Sequence, residues 1–137
     1  MDAISGLILH VDDDQSVRES LSGLLHSDGY FVSSAASGTE AIQLASDGLR
    51  PDVLIVDFDL GQRMNGAEAA EQIHDLLKYS PPVMLLSGDL ARARSPRITE
   101  GIVWRASKPF NPRLLLNALP NFVFLSRVTR ELPTGKR

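Results

Sequence analysis

Apolar residues in this chain fall into short runs separated by stretches with a helical rhythm. Leu7-Ile8-Leu9-His10-Val11, Val53-Leu54-Ile55-Val56 and Val83-Met84-Leu85-Leu86 are strand-length and nearly continuous. That is the pattern of strands buried on both faces. Tyr30 to Ala35 and Gly101 to Arg105 read as two further strands. Between them, Val17, Leu21, Leu24 and Leu25 recur at helical spacing, as do Ala41, Ile42, Leu44 and Ala45, then Ala69, Ala70, Ile73, Leu76 and Leu77. Ser16 with Glu19 and Ser37 with Glu40 have capping-box spacing, and Asn65 can cap the third helix. Gly48 is a natural stop for the second helix, and Pro81-Pro82 prevents continuation of the third. A weaker helix is expected around Leu90 to Arg94, and a last one starts at Asn111-Pro112, a cap and first-turn pair. Pro120 interrupts the series Leu115, Leu119, Phe122 and Val123 and should kink or restart that helix. Five strands alternating with five helices predict a single-domain α/β fold around a parallel sheet.

The polar residues matter through where the runs release them. Asp12-Asp13-Asp14 follow the first run, Asp57 the third and Ser87 the fourth, while a short last strand leads into Lys108-Pro109. In a parallel sheet these positions share one rim, outside the carboxyl ends of the strands, where α/β folds bind ligands. Carboxylates, a hydroxyl and a lysine gathered there suit a hard cation and a phosphoryl group.

Composition narrows the function classes. One domain is expected from 137 residues, with 43% hydrophobic and 23% charged content typical of a globular protein. A net charge of −3 argues against nucleic-acid binding through overall charge. Without cysteine there is no disulfide or thiolate chemistry. Asp2 and Asp12 spoil a signal-peptide pattern, and no apolar run reaches membrane-spanning length, so a cytoplasmic protein with no membrane partner is expected.

From about Leu7 to about Ser126 the chain resembles the receiver domain of two-component response regulators. The matching pieces are Leu9 to Asp14, Pro51 to Asp57, Asn65-Gly66, Leu86-Ser87-Gly88 and Lys108-Pro109-Phe110, in that order and spacing. The resemblance implies a flavodoxin-like (βα)5 fold with strand order 2-1-3-4-5 and helices on both faces. Residues 1–126 would form the receiver domain and residues 127–137 the end of the last helix and a flexible tail. It also implies that Asp57 accepts a phosphoryl group from a histidine kinase or histidine phosphotransfer protein, with Mg²⁺ as cofactor. Asp12, Asp13, Asp57 and the backbone carbonyl of Asp59 would hold the metal, Asp12 mainly through a water. Lys108 would pair with one phosphoryl oxygen and Ser87 donate its hydroxyl to another. Such a domain is an acceptor that catalyses only its own phosphorylation and dephosphorylation, and it does not itself bind nucleic acid. The apolar residues Phe122, Phe124, Leu125 and Val128 suggest core packing of a long last helix or a self-association face.

Three positions depart from the family pattern. The loop from Phe58 to Gly66 lacks the usual proline and is one residue longer to the glycine. The switch aromatic expected three residues before Lys108 is Arg105, with Trp104 beside it, and Ser87 stands where threonine is commoner. Asp14 is expected to cap or solvate the first helix rather than touch metal. His10, His26 and His74 lie on different elements without ligand spacing. Two other functions compete. Leu54 to Gly61 also resembles the first motif of haloacid dehalogenase-type phosphatases, but that motif usually sits on the first strand, with its acidic pair downstream. The altered switch position would suit a receiver-fold module that binds partners without being phosphorylated.

Overall fold

The structure, a computed structural model, describes residues 6–61, 64–93 and 101–131. The elements are β1 (Leu7–Val11), α1 (Gln15–Ser27), β2 (Phe31–Ala35), α2 (Gly38–Ser46), β3 (Val53–Asp57), α3 (Gly66–Leu76), β4 (Val83–Ser87), β5 (Ile102–Ser107) and α4 (Pro112–Glu131). The strands form one parallel sheet in the order β2-β1-β3-β4-β5, the flavodoxin-like arrangement expected.

Alternation along the strands divides the core into two layers. Leu9, Val11, Leu54, Val56, Val83 and Leu85 face α2 and α3, where Ala41, Ala45, Ala70 and Ile73 cover them. Ile8, Val53, Ile55, Met84 and Leu86 face the other way, against Leu21 and Leu25 of α1 and Leu115, Leu119 and Val123 of α4. All five residues of β3 and of β4 are buried, so apolarity without strict alternation marked the central strands correctly. Fully burying one such Leu, Ile or Val contributes about 1.5–3 kcal/mol. The two layers therefore dominate the forces that hold the strand ends in place.

The helix ends differ in detail from the pattern-based expectation. The Ser16–Glu19 box does not form; Asp14 caps α1, one of the two roles expected of it: its backbone is extended and its carboxylate accepts the Val17 amide at 3.2 Å. A carboxylate outcompetes a hydroxyl at this position because it also meets the positive end of the helix dipole. Ser37 does cap α2 by accepting the Glu40 amide, but Glu40 reaches back to the amide of Ala36, one residue earlier than a capping box requires. Asn65 and Glu68 form the complete box on α3. Gly29 and Gly48, at φ +97° and +111°, supply the left-handed residues just past the ends of α1 and α2.

Two helix expectations fail. Residues 90–93 form a turn, not a helix: the Asp89 carboxylate accepts the Ala91 amide and the Asp89 carbonyl accepts that of Arg92. Arg94, the end of the expected helix, lies outside the described residues, which carry four helices rather than five. Nor does Pro120 restart the last helix, because α4 runs through it from Pro112 to Glu131. Leu115, Leu119 and Val123 are fully buried on either side of the proline, so packing holds both halves against the sheet. The final tail, residues 132–137, lies outside the described residues.

Candidate functional site

Sheet register sets the functional side chains on one rim. Val11 is level with Val56, Asp57 with Leu86, and Ser87 with Ser107, so Asp12, Asp57, Ser87 and Lys108 emerge at neighbouring strand ends. The Lys108 amide donates to the Ser87 carbonyl at 2.8 Å, extending the β4–β5 pairing one step beyond the strands. The Lys108–Pro109 peptide is cis.

Carboxylate oxygens of Asp12, Asp13 and Asp57 lie within 4.8 Å of one another. Asp12 is fully buried and Asp57 nearly so, whereas Asp13 faces solvent. The Lys108 Nζ donates to Asp57 Oδ2 at 2.8 Å and stands 3.5 Å from Asp12 Oδ2. One Asp12 oxygen accepts the Asp14 amide, and Arg18 donates to the Asp12 carbonyl at 2.7 Å, which fixes the β1–α1 turn. The Asp59 amide donates to Asp57 Oδ1 at 3.2 Å, folding the loop back over the strand end and bringing Asp59 to the cluster.

Electrostatics here are unbalanced. Burial raises the Asp57 pKa above the usual carboxylate range; Lys108 and the Asp59 amide pull it back, and Asp12 pushes it further up. Burial alone would lower the Lys108 pKa, but the carboxylates of Asp57 and Asp12 overcome it and the net shift is upward. Lys108 is thus a firmly held ammonium between the carboxylates of Asp57 and Asp12, with Asp13 the third carboxylate of the cluster. Such an oxygen-only donor set, in excess of its one ammonium, fits a hard divalent cation such as Mg²⁺.

The Ser87 hydroxyl is engaged by neighbouring loop residues. Its Oγ accepts the Asp89 amide at 3.0 Å, and its proton has the Asp89 carbonyl at 3.1 Å and Asp59 Oδ2 at 3.4 Å as acceptors. Arg92 stands 3.9 Å from Asp59 with both side chains well exposed, a pair that contributes little. Gly66 has a steric reason: a Cβ there would lie 2.2 Å from the Asp57 carbonyl oxygen. Its amide instead donates to the Phe58 carbonyl at 2.8 Å, seating the start of α3 against the acceptor strand. Gly61, at φ +65°, adopts a left-handed conformation beside Asp13. The loop's next two residues, Gln62 and Arg63, lie outside the described residues.

The switch positions separate by face. Trp104 packs into the layer of Met84 and Leu86, whereas Arg105 is exposed and donates to the Ala93 carbonyl at 2.7 Å. None of the three histidines joins the acidic cluster. His26 is exposed on α1, and His74 Nε2 sits 2.8 Å from the Pro81 carbonyl. His10 is fully buried with no hydrogen bond to either ring nitrogen, and burial, then Lys108 and Arg18, lower its pKa to about 4. It is a neutral core side chain.

A second polar centre escaped the sequence reading. Asp52, buried at the start of β3, accepts the Leu7 amide and pairs with Arg127 and Arg130 of α4. Its signal was an acidic residue directly before a buried strand, but nothing local reveals partners 75 and 78 residues away.

Comparison with known proteins agrees with this geometry. The response regulator receiver domain family matches residues 8–120. Response regulator MprA of Mycobacterium ulcerans is 38% identical over 75% of this chain and 44% of its own length. MprA of Mycobacterium sp. strain KMS is 35% identical over 95% of this chain and 64% of its own length. The chain thus spans roughly half the length of these curated relatives. A CheY-like receiver domain protein from Methanospirillum hungatei superposes with TM-score 0.77 at 24% identity, over 92% of this chain and 99% of that one. Chemotaxis protein CheY4 of Vibrio cholerae gives 0.70 at 30% identity, over 87% and 99%. The chain belongs to the response regulator receiver family of two-component systems. Among the described residues, no helix is long and apolar enough to cross a membrane.

Proposed function

We propose that this receiver accepts a phosphoryl group on Asp57, with Mg²⁺, from a histidine kinase or histidine phosphotransfer protein. The observation that carries the reading is the buried Asp57 carboxylate, 2.8 Å from Lys108 within the three-carboxylate cluster. An Asp57 oxygen attacks phosphorus, the bond to the donor's nitrogen breaks, and the donor histidine leaves with the electron pair. The negative charges of carboxylate and phosphoryl oppose that approach. Mg²⁺, when bound by Asp12, Asp13, Asp57 and the Asp59 carbonyl, supplies the neutralising charge. Lys108 shifts from Asp57 Oδ2 to a phosphoryl oxygen, and Ser87 exchanges Asp59 and Asp89 for another. Burial of Asp12 and Asp57 keeps water from competing with these contacts.

An apolar groove of about 360 Å³ beside Lys108, lined by Val17, Leu21, Leu24, Pro109 and Phe110, supports docking of the histidine-bearing partner next to the acceptor. Exposed Leu114, Phe124, Leu125 and Val128 on α4 support self-association. The domain acts on its own aspartate and is not an enzyme for other substrates.

Incubation with acetyl phosphate and Mg²⁺, read by intact-mass spectrometry, tests the acceptor. One added phosphate on the wild type and none on Asp57→Asn is expected. Equal labelling of both moves the acceptor elsewhere, and no labelling of either leaves a binding-only module, the reading that the exposed Arg105 favours.

A further inference from the structure

The loop after β4 leaves the core at Ser87 and returns to it at Ala93, which is fully buried in the layer of Val83 and Leu85. Between these points it is a hydrogen-bonded turn. The Asp89 carboxylate accepts the Ala91 amide, the Asp89 carbonyl accepts that of Arg92 at 3.1 Å, and the Leu90 carbonyl accepts that of Ala93 at 3.3 Å. Both backbone groups of Asp89 also meet the Ser87 hydroxyl: the amide donates to it at 3.0 Å and the carbonyl accepts from it at 3.1 Å. A move of that hydroxyl toward a phosphoryl group therefore displaces Asp89, and the turn passes the displacement on to Ala93.

The far end of the turn is clasped from β5. Arg105 Nη1 donates to the Ala93 carbonyl at 2.7 Å, a charge-assisted bond between residues twelve apart in the chain. Sheet pairing places the guanidinium, since Arg105 is level with Leu85 and Ser107 with Ser87. The turn is thus tied at one end to β4 through the Ser87 hydroxyl and at the other to β5 through Arg105. Arg105 is exposed, so its charge stays in water when the bond opens.

We propose that Arg105 is a positioning residue for phosphoryl acceptance: it latches the loop in the arrangement that engages Ser87 with Asp89, and release of the latch frees the hydroxyl for the phosphoryl group. The proposal rests on Asp57 as the acceptor. Arg105 acts through the loop, without touching the phosphoryl group and without entering the core.

The rate of labelling of the full chain by acetyl phosphate with Mg²⁺, followed by intact-mass spectrometry, tests the latch. Arg105→Ala should label about three- to tenfold faster than wild type, the factor by which one hydrogen bond biases an equilibrium. Arg105→Lys keeps a donor and the charge and should stay near the wild-type rate. In a Ser87→Ala background, Arg105→Ala should change nothing, because no hydroxyl remains to be released. Losing a positive charge would by itself slow an anionic donor, so the sign of the change separates release from electrostatics. Hydrogen exchange read by NMR should be faster at the Arg92 and Ala93 amides in Arg105→Ala. An unchanged or slower labelling rate in Arg105→Ala would overturn the proposal, as would equal acceleration without Ser87 or unchanged exchange at those amides. Failure of the acceptor reading is distinguishable, and the proposal falls with it: the wild type then takes no phosphate, or Asp57→Asn takes as much.

Discussion

Asp13 and Asp14 are neighbours, yet substituting them should move stability in opposite directions. Asp13 has carboxylate neighbours, Asp12 and Asp57, within 4.8 Å. One such repulsion is worth about 0.9 kcal/mol at the dielectric of water and about 3.5 kcal/mol at an effective value near 20. Because Asp13 is exposed, the low end applies, about 1 kcal/mol per pair. Two repulsions are relieved in Asp13→Asn, and lost attraction to Lys108 offsets about one of them. Without divalent cation, Asp13→Asn should therefore be more stable than wild type by about 1 kcal/mol, or roughly 3–5 °C in Tm. Asp14→Ala loses the helix cap and should be less stable by about 1 kcal/mol.

Mg²⁺ completes the test. Wild type should gain about 1.4 kcal/mol when the cation reaches ten times its Kd. Asp14→Ala should gain nearly as much, and Asp13→Asn far less, since one anionic ligand of a hard-cation site is gone. Urea unfolding followed by circular dichroism, with and without Mg²⁺, gives all six values. A destabilised Asp13→Asn in EDTA would refute the repulsion argument. Equal Mg²⁺ gains in all three proteins would refute the ligand assignment.

Gly66→Ala places a Cβ 2.2 Å from the Asp57 carbonyl oxygen, a clash with backbone that only strand or helix displacement relieves. Urea denaturation should show a loss of about 3 kcal/mol, and a loss below about 1 kcal/mol would mean that α3 yields freely. His74 has a lowered pKa, mainly from burial, so its unfolded form binds the proton first. Its stabilising contribution is full above pH 6.5 and is lost as pH falls through the lower folded value; His74→Gln should flatten the stability profile there, and an unchanged slope would contradict this. Arg105 should stay at the surface when beryllofluoride mimics the phosphoryl group, because burying an unpaired guanidinium costs several kcal/mol. NMR or crystallography showing it enter the core would overturn that expectation.

Periodicity alone located the strands to within a residue or two. A residue's tendency to sit in the core is carried by its own side chain, and the alternation of such residues reports the element directly. The rim was legible for the same reason, since Asp12, Asp57, Ser87 and Lys108 each follow an apolar run. Gly48 and the Asn65 cap were legible too, because cap and amide lie within one turn. Choices between rival local partners were not. Asp14 was expected near the first helix but spacing did not rank it above Ser16 as the cap, and the turn at Asp89 replaced an expected helix. The rim brought Lys108 near Asp57 in the sequence reading, but the individual contacts were hidden: Lys108 donates to Asp57 Oδ2, Arg105 finds the Ala93 carbonyl, and Asp52 collects Arg127 and Arg130. Those pairings depend on strand order, register and the seating of α4, which exist only once both core layers have packed.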